Sequence, residues 1–154
     1  MASTDDLPSL LQLIDVQPND RILEMECGDG VLTVAMAARA ASGLVLALDW
    51  SEERVHKARA RGRDRDNVMF VHGGAGEIPW QADYFSKALS HGWPGQLADV
   101  FRVLAPGGVL YAVLPADDAP VQNTKWTELE RAGFVGAGTV VVNGAQVATA
   151  RKPG

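Results

Sequence analysis

Ile22-Leu23-Glu24-Met25-Glu26-Cys27-Gly28-Asp29-Gly30 is the stretch whose reading decides the fold of this chain. An apolar run, Arg21 to Met25, stops at a loop carrying two glycines, and the alanine-rich segment Val31 to Ala41 follows. A short apolar run bounded by turn residues reads as a buried strand, and the alanine-rich segment as a buried helix. A loop between strand and helix can bring its backbone close to a ligand only where side chains are absent. Gly28 and Gly30 supply that freedom, and the helix start behind them offers N–H groups without intrahelical partners.

Outward from this loop the same alternation repeats. Upstream, Leu7, Leu10, Leu11 and Ile14 recur at helical spacing after Asp5 and Asp6, and Pro18-Asn19-Asp20 breaks the chain. Downstream, Leu44 to Leu48 reads as a second strand stopped by Asp49, and Ser51 caps a helix with Glu52 and Glu53 in its first turn. Val68 to Val71 and Phe85 to Leu89 read as further strands, the first followed by the glycine-rich loop from Gly73 to Pro79. Gln96 to Leu104 reads as a helix, and Pro106-Gly107-Gly108 turns into the strand Val109 to Leu114. Strands without alternation, separated by helices, predict a parallel sheet covered on both faces. After a helix over Thr124 to Ala132, Thr139 to Val142 and Gln146 to Ala150 flank Asn143-Gly144, a two-residue hairpin signal. The expectation is one α/β domain over residues 1–154, doubly wound, mostly parallel, with an antiparallel hairpin strand at its C-terminal end.

Composition narrows the function classes. The chain has 154 residues, 47% of them hydrophobic and 21% charged, which suits one globular domain. Its single cysteine, Cys27, can form no internal disulfide and has no zinc spacing around it, so a reducing, cytoplasmic setting and no metal are expected. Met1 to Asp6 is polar and acidic, unlike a secretory signal, and no apolar run approaches the ~20 residues that span a membrane. A net charge of -5 argues against general nucleic-acid binding. Arg54, Lys57, Arg59, Arg61, Arg63 and Arg65 nevertheless cluster, either as a solvated helix complementing its dipole or as a patch for an acidic partner.

Asp49 sharpens the reading of the loop. A carboxylate ending the second strand lies beside the first loop, where it can accept hydrogen bonds from a ribose diol; it can equally cap the following helix. Dinucleotide-binding dehydrogenases share this pairing, but their fingerprint wants a third glycine where Thr33 stands here, and little chain remains for a second substrate domain.

In its ordered pieces the chain resembles the class I S-adenosylmethionine-dependent methyltransferases, whose sheet is Rossmann-like. The resemblance runs from about Leu10 to Lys152. Ile22 to Gly30 is similar to that family's first motif, Leu48-Asp49-Trp50-Ser51 to its second, Arg102 to Gly108 to the segment leading into strand five, and Ala132-Gly133-Phe134 with the hairpin to its close. The resemblance implies S-adenosylmethionine as cofactor and S-adenosylhomocysteine as product. It assigns Glu24, Gly28 and Gly30 to the methionine end and loop, Asp49 to the ribose hydroxyls, and Trp50 to the adenine face or to plain packing. Gly74 and Ala75 would flank the adenine edge. Ser90 and His91, following the fourth strand, would face the reacting methyl, with His91 a general base or a packed ring.

Two departures accompany the resemblance. Glu26 stands where the first glycine of the motif is expected, able to attract the sulfonium and amino group or to repel the cofactor's carboxylate; Gly74 replaces an acidic residue after the third strand. The regions that usually form a substrate lid are short. The sequence therefore supports a methyltransferase acting on a small-molecule or protein acceptor, or a non-catalytic binding module on the same fold, with a nicotinamide-binding domain behind both. The hairpin offers an edge through which two copies could pair into a homo-oligomer.

Overall fold

A computed structural model describes residues 7–73, 77–115 and 121–154. The elements, in chain order, are α1 (Leu7–Ile14), β1 (Arg21–Met25), α2 (Val31–Arg39), β2 (Leu44–Asp49), α3 (Glu52–Arg61), β3 (Val68–His72) and β4 (Phe85–His91). They continue with α4 (Leu97–Val103), β5 (Leu104–Val113), α5 (Asn123–Ala132), β6 (Val135–Val142) and β7 (Ala145–Arg151). The strands form one seven-stranded sheet in the order β3-β2-β1-β4-β5-β7-β6. β1 to β5 are parallel, whereas β7 runs antiparallel to both β5 and β6. The doubly wound α/β sheet with an antiparallel hairpin is thus present.

Apolar side chains cover both faces. On one, Leu10, Leu11 and Ile14 of α1 and Leu32 and Met36 of α2 pack against Ile22, Val45 and Leu89. On the other, Val100 and Val103 of α4 and Leu129 of α5 pack against Leu23, Leu46 and Leu110. Each fully buried aliphatic chain contributes about 1.5–3 kcal/mol, which is why strands without polar alternation sit in the middle of the sheet.

The largest boundary differences from the sequence expectation each have a tertiary reason. β4 extends through Ser90 and His91, because these residues pair with Ala112 and Val113 of β5. β5 begins at Leu104, and its pairing jumps from Phe85↔Leu104 to Lys87↔Val109, so Pro106-Gly107 bulges out of the ladder. The bulge is tied from outside: Gly107 N–H donates to Lys152 O and Lys152 N–H to Gly108 O, both at 2.9 Å. β6 and β7 are longer than the apolar runs around Asn143-Gly144, since cross-strand pairing carries Val135 opposite Arg151. Asn143 and Gly144 hold φ of 48° and 82°, the left-handed pair that a two-residue hairpin turn requires.

The amino end of β1 is anchored by Asp20. Its carboxylate accepts the Gln17 N–H at 2.7 Å and the Ser86 hydroxyl at 2.8 Å, and pairs with Lys87. Burial on its own would raise this carboxyl, but these hydrogen bonds and the Lys87 charge outweigh it and hold Asp20 below the ordinary value of about 3.8. A carboxyl lowered by folding stabilises the native state above its unfolded pKa, and that contribution fades as pH falls through the native value. Asp20→Asn is therefore expected to cost about 2–3 kcal/mol at pH 7 and progressively less towards pH 3. Urea midpoints of the two proteins across that range check it; a gap independent of pH would contradict the assignment.

Candidate cofactor site

The sheet order reverses between β1 and β4: the chain proceeds from β1 to β2 and β3 on one side, then crosses to β4 on the other. Ligands of open α/β sheets bind beyond the carboxyl ends of strands at such a reversal. A cavity of about 360 Å³ lies there. Met25 and Glu26 line it from the end of β1, Leu48, Asp49 and Trp50 from β2, and Gly73 from β3. Ser90 of β4 and the loop from Trp93 to Gln96 close the other side.

Asp49 organises this end of the sheet. Its carboxylate is only 2% exposed. Oδ2 accepts the Gly28 N–H at 2.9 Å, and Oδ1 accepts the Ser51 N–H at 2.9 Å and Arg54 Nε at 3.0 Å. A carboxylate has about four acceptor positions, so one on Oδ2 remains beside the cavity. Ser51, not Asp49, caps α3 through its hydroxyl on Arg54 N–H. Next to Asp49, the Trp50 ring is 65% exposed, a large apolar face in water, with the Arg54 guanidinium 5.7 Å from its centroid.

The glycine loop is wound upon itself. Cys27 N–H donates to Leu48 O at 3.0 Å, and Gly30 N–H to Cys27 O at 3.2 Å. Gly28 and Gly30 adopt φ of 63° and 86°. A Cβ on Gly30 would stand 3.1 Å from Ala58 Cβ, so this glycine admits α3 against the start of α2. Gly28 and Gly30 do not line the cavity; they shape the turn that presents Glu26 to it. Glu26 has φ of 59°, a left-handed backbone that glycine adopts freely and that costs another residue about 1–2 kcal/mol. Its carboxylate reaches across to β4, with Oε2 3.8 Å from where a Cβ on Gly92 would lie.

Glu24 and His91 are buried and are not among the residues that line the cavity. Glu24 is fully buried. Its Oε1 accepts the Thr33 hydroxyl and its Oε2 lies 2.8 Å from His91 Nε2, while His91 Nδ1 is buried with no partner among the described residues. Thr33, at the dehydrogenase third-glycine position, thus serves a buried carboxylate. Cys27 is buried as well; desolvation, reinforced by the charges of Glu24 and Asp49, pushes its thiol up, so it stays protonated at neutral pH and is no nucleophile.

Of the residues singled out from sequence, the fold brings Glu26, Asp49, Trp50 and Ser90 together around the cavity. Gly74 and Ala75 lie outside the described residues. Sequence reasoning missed Trp93 and its loop. Trp93 is a cavity wall steadied by α5, its Nε1 donating to Glu128 at 3.0 Å and Lys125 lying 5.3 Å from its ring. The signal was present in Trp93-Pro94-Gly95, a turn with a large aromatic directly after a strand. Cavity size, a buried carboxylate with an acceptor position to spare and an exposed aromatic face together fit an adenosine-bearing cofactor. Among the described residues no helix is long and apolar enough to cross a membrane.

Known proteins resemble this chain in sequence and fold. A family model described as a methyltransferase domain matches residues 22–108, more than half of the chain. The 23S rRNA (uracil(1939)-C(5))-methyltransferase of Enterobacter sp. strain 638 is 34% identical over 111 residues, covering 66% of this chain and 25% of the relative. The trans-aconitate 2-methyltransferase of Deinococcus radiodurans is 30% identical over 140 residues, covering 84% of this chain and 54% of the relative. The chain therefore spans between about a quarter and about half the length of these two relatives. Among solved structures, a SAM-dependent methyltransferase from Aquifex aeolicus superposes with a TM-score of 0.77 at 18% identity, over 95% of this chain and 88% of that one. With the first motif, the Asp49 carboxylate and the sheet order all inside or around the matched segment, this chain belongs to the class I S-adenosylmethionine-dependent methyltransferase family.

Proposed function

We propose that this chain binds S-adenosylmethionine in the cavity at the ends of β1, β2 and β4 and transfers its methyl group to a small-molecule or protein acceptor. The observation that carries the reading is Asp49, held by three donors with one acceptor position left, beside the exposed Trp50 ring at the reversal of the sheet. When bound, the cofactor supplies an electrophilic methyl on a positively charged sulfur. Asp49 takes a ribose hydroxyl, Trp50 lies against the adenine, and Glu26 and Ser90 border the methionine end. Methyl transfer from a sulfonium needs chiefly alignment of the acceptor, and the Trp93 wall supplies an apolar surface for it. His91 steadies Glu24 in this reading, its Nε2 lying 2.8 Å from the buried carboxylate.

The relatives' names cover a ribosomal RNA uracil and trans-aconitate, so kinship supports the donor chemistry and leaves the acceptor to experiment. The net charge of -5 favours acceptors other than nucleic acid. A cytoplasmic location belongs to the same reading, because the lone, buried Cys27 makes no disulfide. A second reading, a non-catalytic binding module on the same fold with a weakened or lost cofactor site, is favoured by the strained Glu26 at the motif's first-glycine position.

Methyl-labelled S-adenosylmethionine incubated with the protein and fractionated small-molecule and protein extracts tests the proposal. Label is expected in an acceptor fraction with wild type and not with Asp49→Ala. Transfer to no fraction would favour the second reading, and no cofactor binding at all would favour it over the first outright.

A further inference from the structure

The cavity wall has an unusual charge. Among the described residues lining it there are two carboxylates, Glu26 and Asp49, two tryptophans and no lysine, arginine or histidine. The cations over the two tryptophan rings are already paired: Arg54 with Asp49 at 3.0 Å and Lys125 with Glu128 at 4.0 Å. The glycine loop offers little for an anion, because the N–H groups of Cys27, Gly28 and Gly30 are all consumed within the protein. Glu26, by contrast, is exposed to the cavity from a backbone conformation that favours glycine. Strain of this kind persists where the surrounding structure enforces it, and it gathers at functional sites.

Resting on the reading of this cavity as an adenosyl-cofactor site, we propose that Glu26 makes the site selective for a cationic ligand, holding the sulfonium methyl donor in preference to its neutral thioether product. S-adenosylmethionine and S-adenosylhomocysteine carry the same adenosine, amino and carboxylate groups and differ by the methyl and the positive charge on sulfur. A carboxylate facing an aromatic-walled cavity with no cation in its described lining favours the charged form through Coulomb attraction, and the two tryptophan faces act in the same direction. The consequence is a site that releases its product more readily than its substrate. Because Glu26 is exposed, salt weakens the preference.

The test is calorimetric titration of wild type, Glu26→Gln and Glu26→Gly with S-adenosylmethionine, S-adenosylhomocysteine and 5′-methylthioadenosine, which is neutral and has no amino-acid tail. The expected result is S-adenosylmethionine about tenfold tighter than S-adenosylhomocysteine in wild type at low salt, a smaller ratio at high salt, and a ratio near unity in both variants. Binding of 5′-methylthioadenosine should be the same in all three, which also reports that the variants are folded. Equal affinity for donor and product in wild type, or a ratio that survives in Glu26→Gln, overturns the proposal while the cofactor site stands. Failure of all three ligands to bind wild type overturns the site reading and this inference together.

Discussion

Asp49→Ala is expected to weaken S-adenosylhomocysteine binding by about 10- to 150-fold and to cost about 3 kcal/mol of stability. The affinity range is that of one hydrogen bond to a charged group, about 1.5–3 kcal/mol. The stability loss has another origin. Asp49 receives the Gly28 and Ser51 N–H groups at 2.9 Å each, and its removal leaves the buried Gly28 donor without a partner and frees the loop from β2. Asp49→Asn separates charge from shape: whichever way the amide turns, its NH2 meets an N–H donor on one side, so most of the loss should persist. Arg54→Gln provides the contrast. Arg54 is half exposed, so its pairing with Asp49 should be worth under about 1 kcal/mol. Urea unfolding of the three variants, with ligand titration of those still folded, checks the ranking; an Asp49→Asn protein as stable and as avid as wild type would contradict it.

Glu24→Ala is expected to be the more damaging change for folding, at about 3–5 kcal/mol, a large part of the 5–15 kcal/mol that holds a domain together. Glu24 is completely buried between Thr33 on α2 and His91 at the end of β4. Truncation leaves a buried hydroxyl and a buried imidazole nitrogen unsatisfied and opens a void between strand and helix. Glu24→Gln keeps the volume and one acceptor for Thr33, and should cost less than half as much. The decisive comparison is the double-mutant cycle with Thr33→Val. Coupling of about 1 kcal/mol or more is expected from a shared buried hydrogen bond. Additive losses would mean that Glu24 is held by something other than Thr33. The same placement lets Glu24 fix β1, α2 and β4 to one another close to the loop that carries Glu26.

How much of this was legible beforehand depends on the range of the interaction concerned. The strand Arg21–Met25, the capped helix after Ser51 and the Asn143-Gly144 turn are local outcomes of apolar runs, side-chain caps and left-handed backbone, and they appear as the sequence reads. The alternation of unbroken apolar runs with helices similarly determined a covered parallel sheet, because such strands can be buried only between two layers. Asp49 and Trp50 were visible because a strand's carboxyl end is a fixed place in this architecture.

What contacts between distant residues decide could not be read in the same way. Gly28 and Gly30 look like ligand contacts from their spacing, yet one gives its N–H to Asp49, twenty-one positions away, and the other makes room for Ala58. Glu24 and His91 look like site residues from their positions, yet pairing of β1 with β4 turns both side chains inward onto each other, sixty-seven positions apart. Ser90 and His91 extend β4 through pairing with β1 and β5, and Trp93, a cavity wall, is steadied by α5 through its indole. The sequence by itself determined which elements form and at which end of the sheet a ligand would bind, since propensity and hydrophobic pattern act over a few residues. Only the tertiary structure decided which polar side chains face the cavity there, since each carboxylate's direction depends on the donors that packing brings to it.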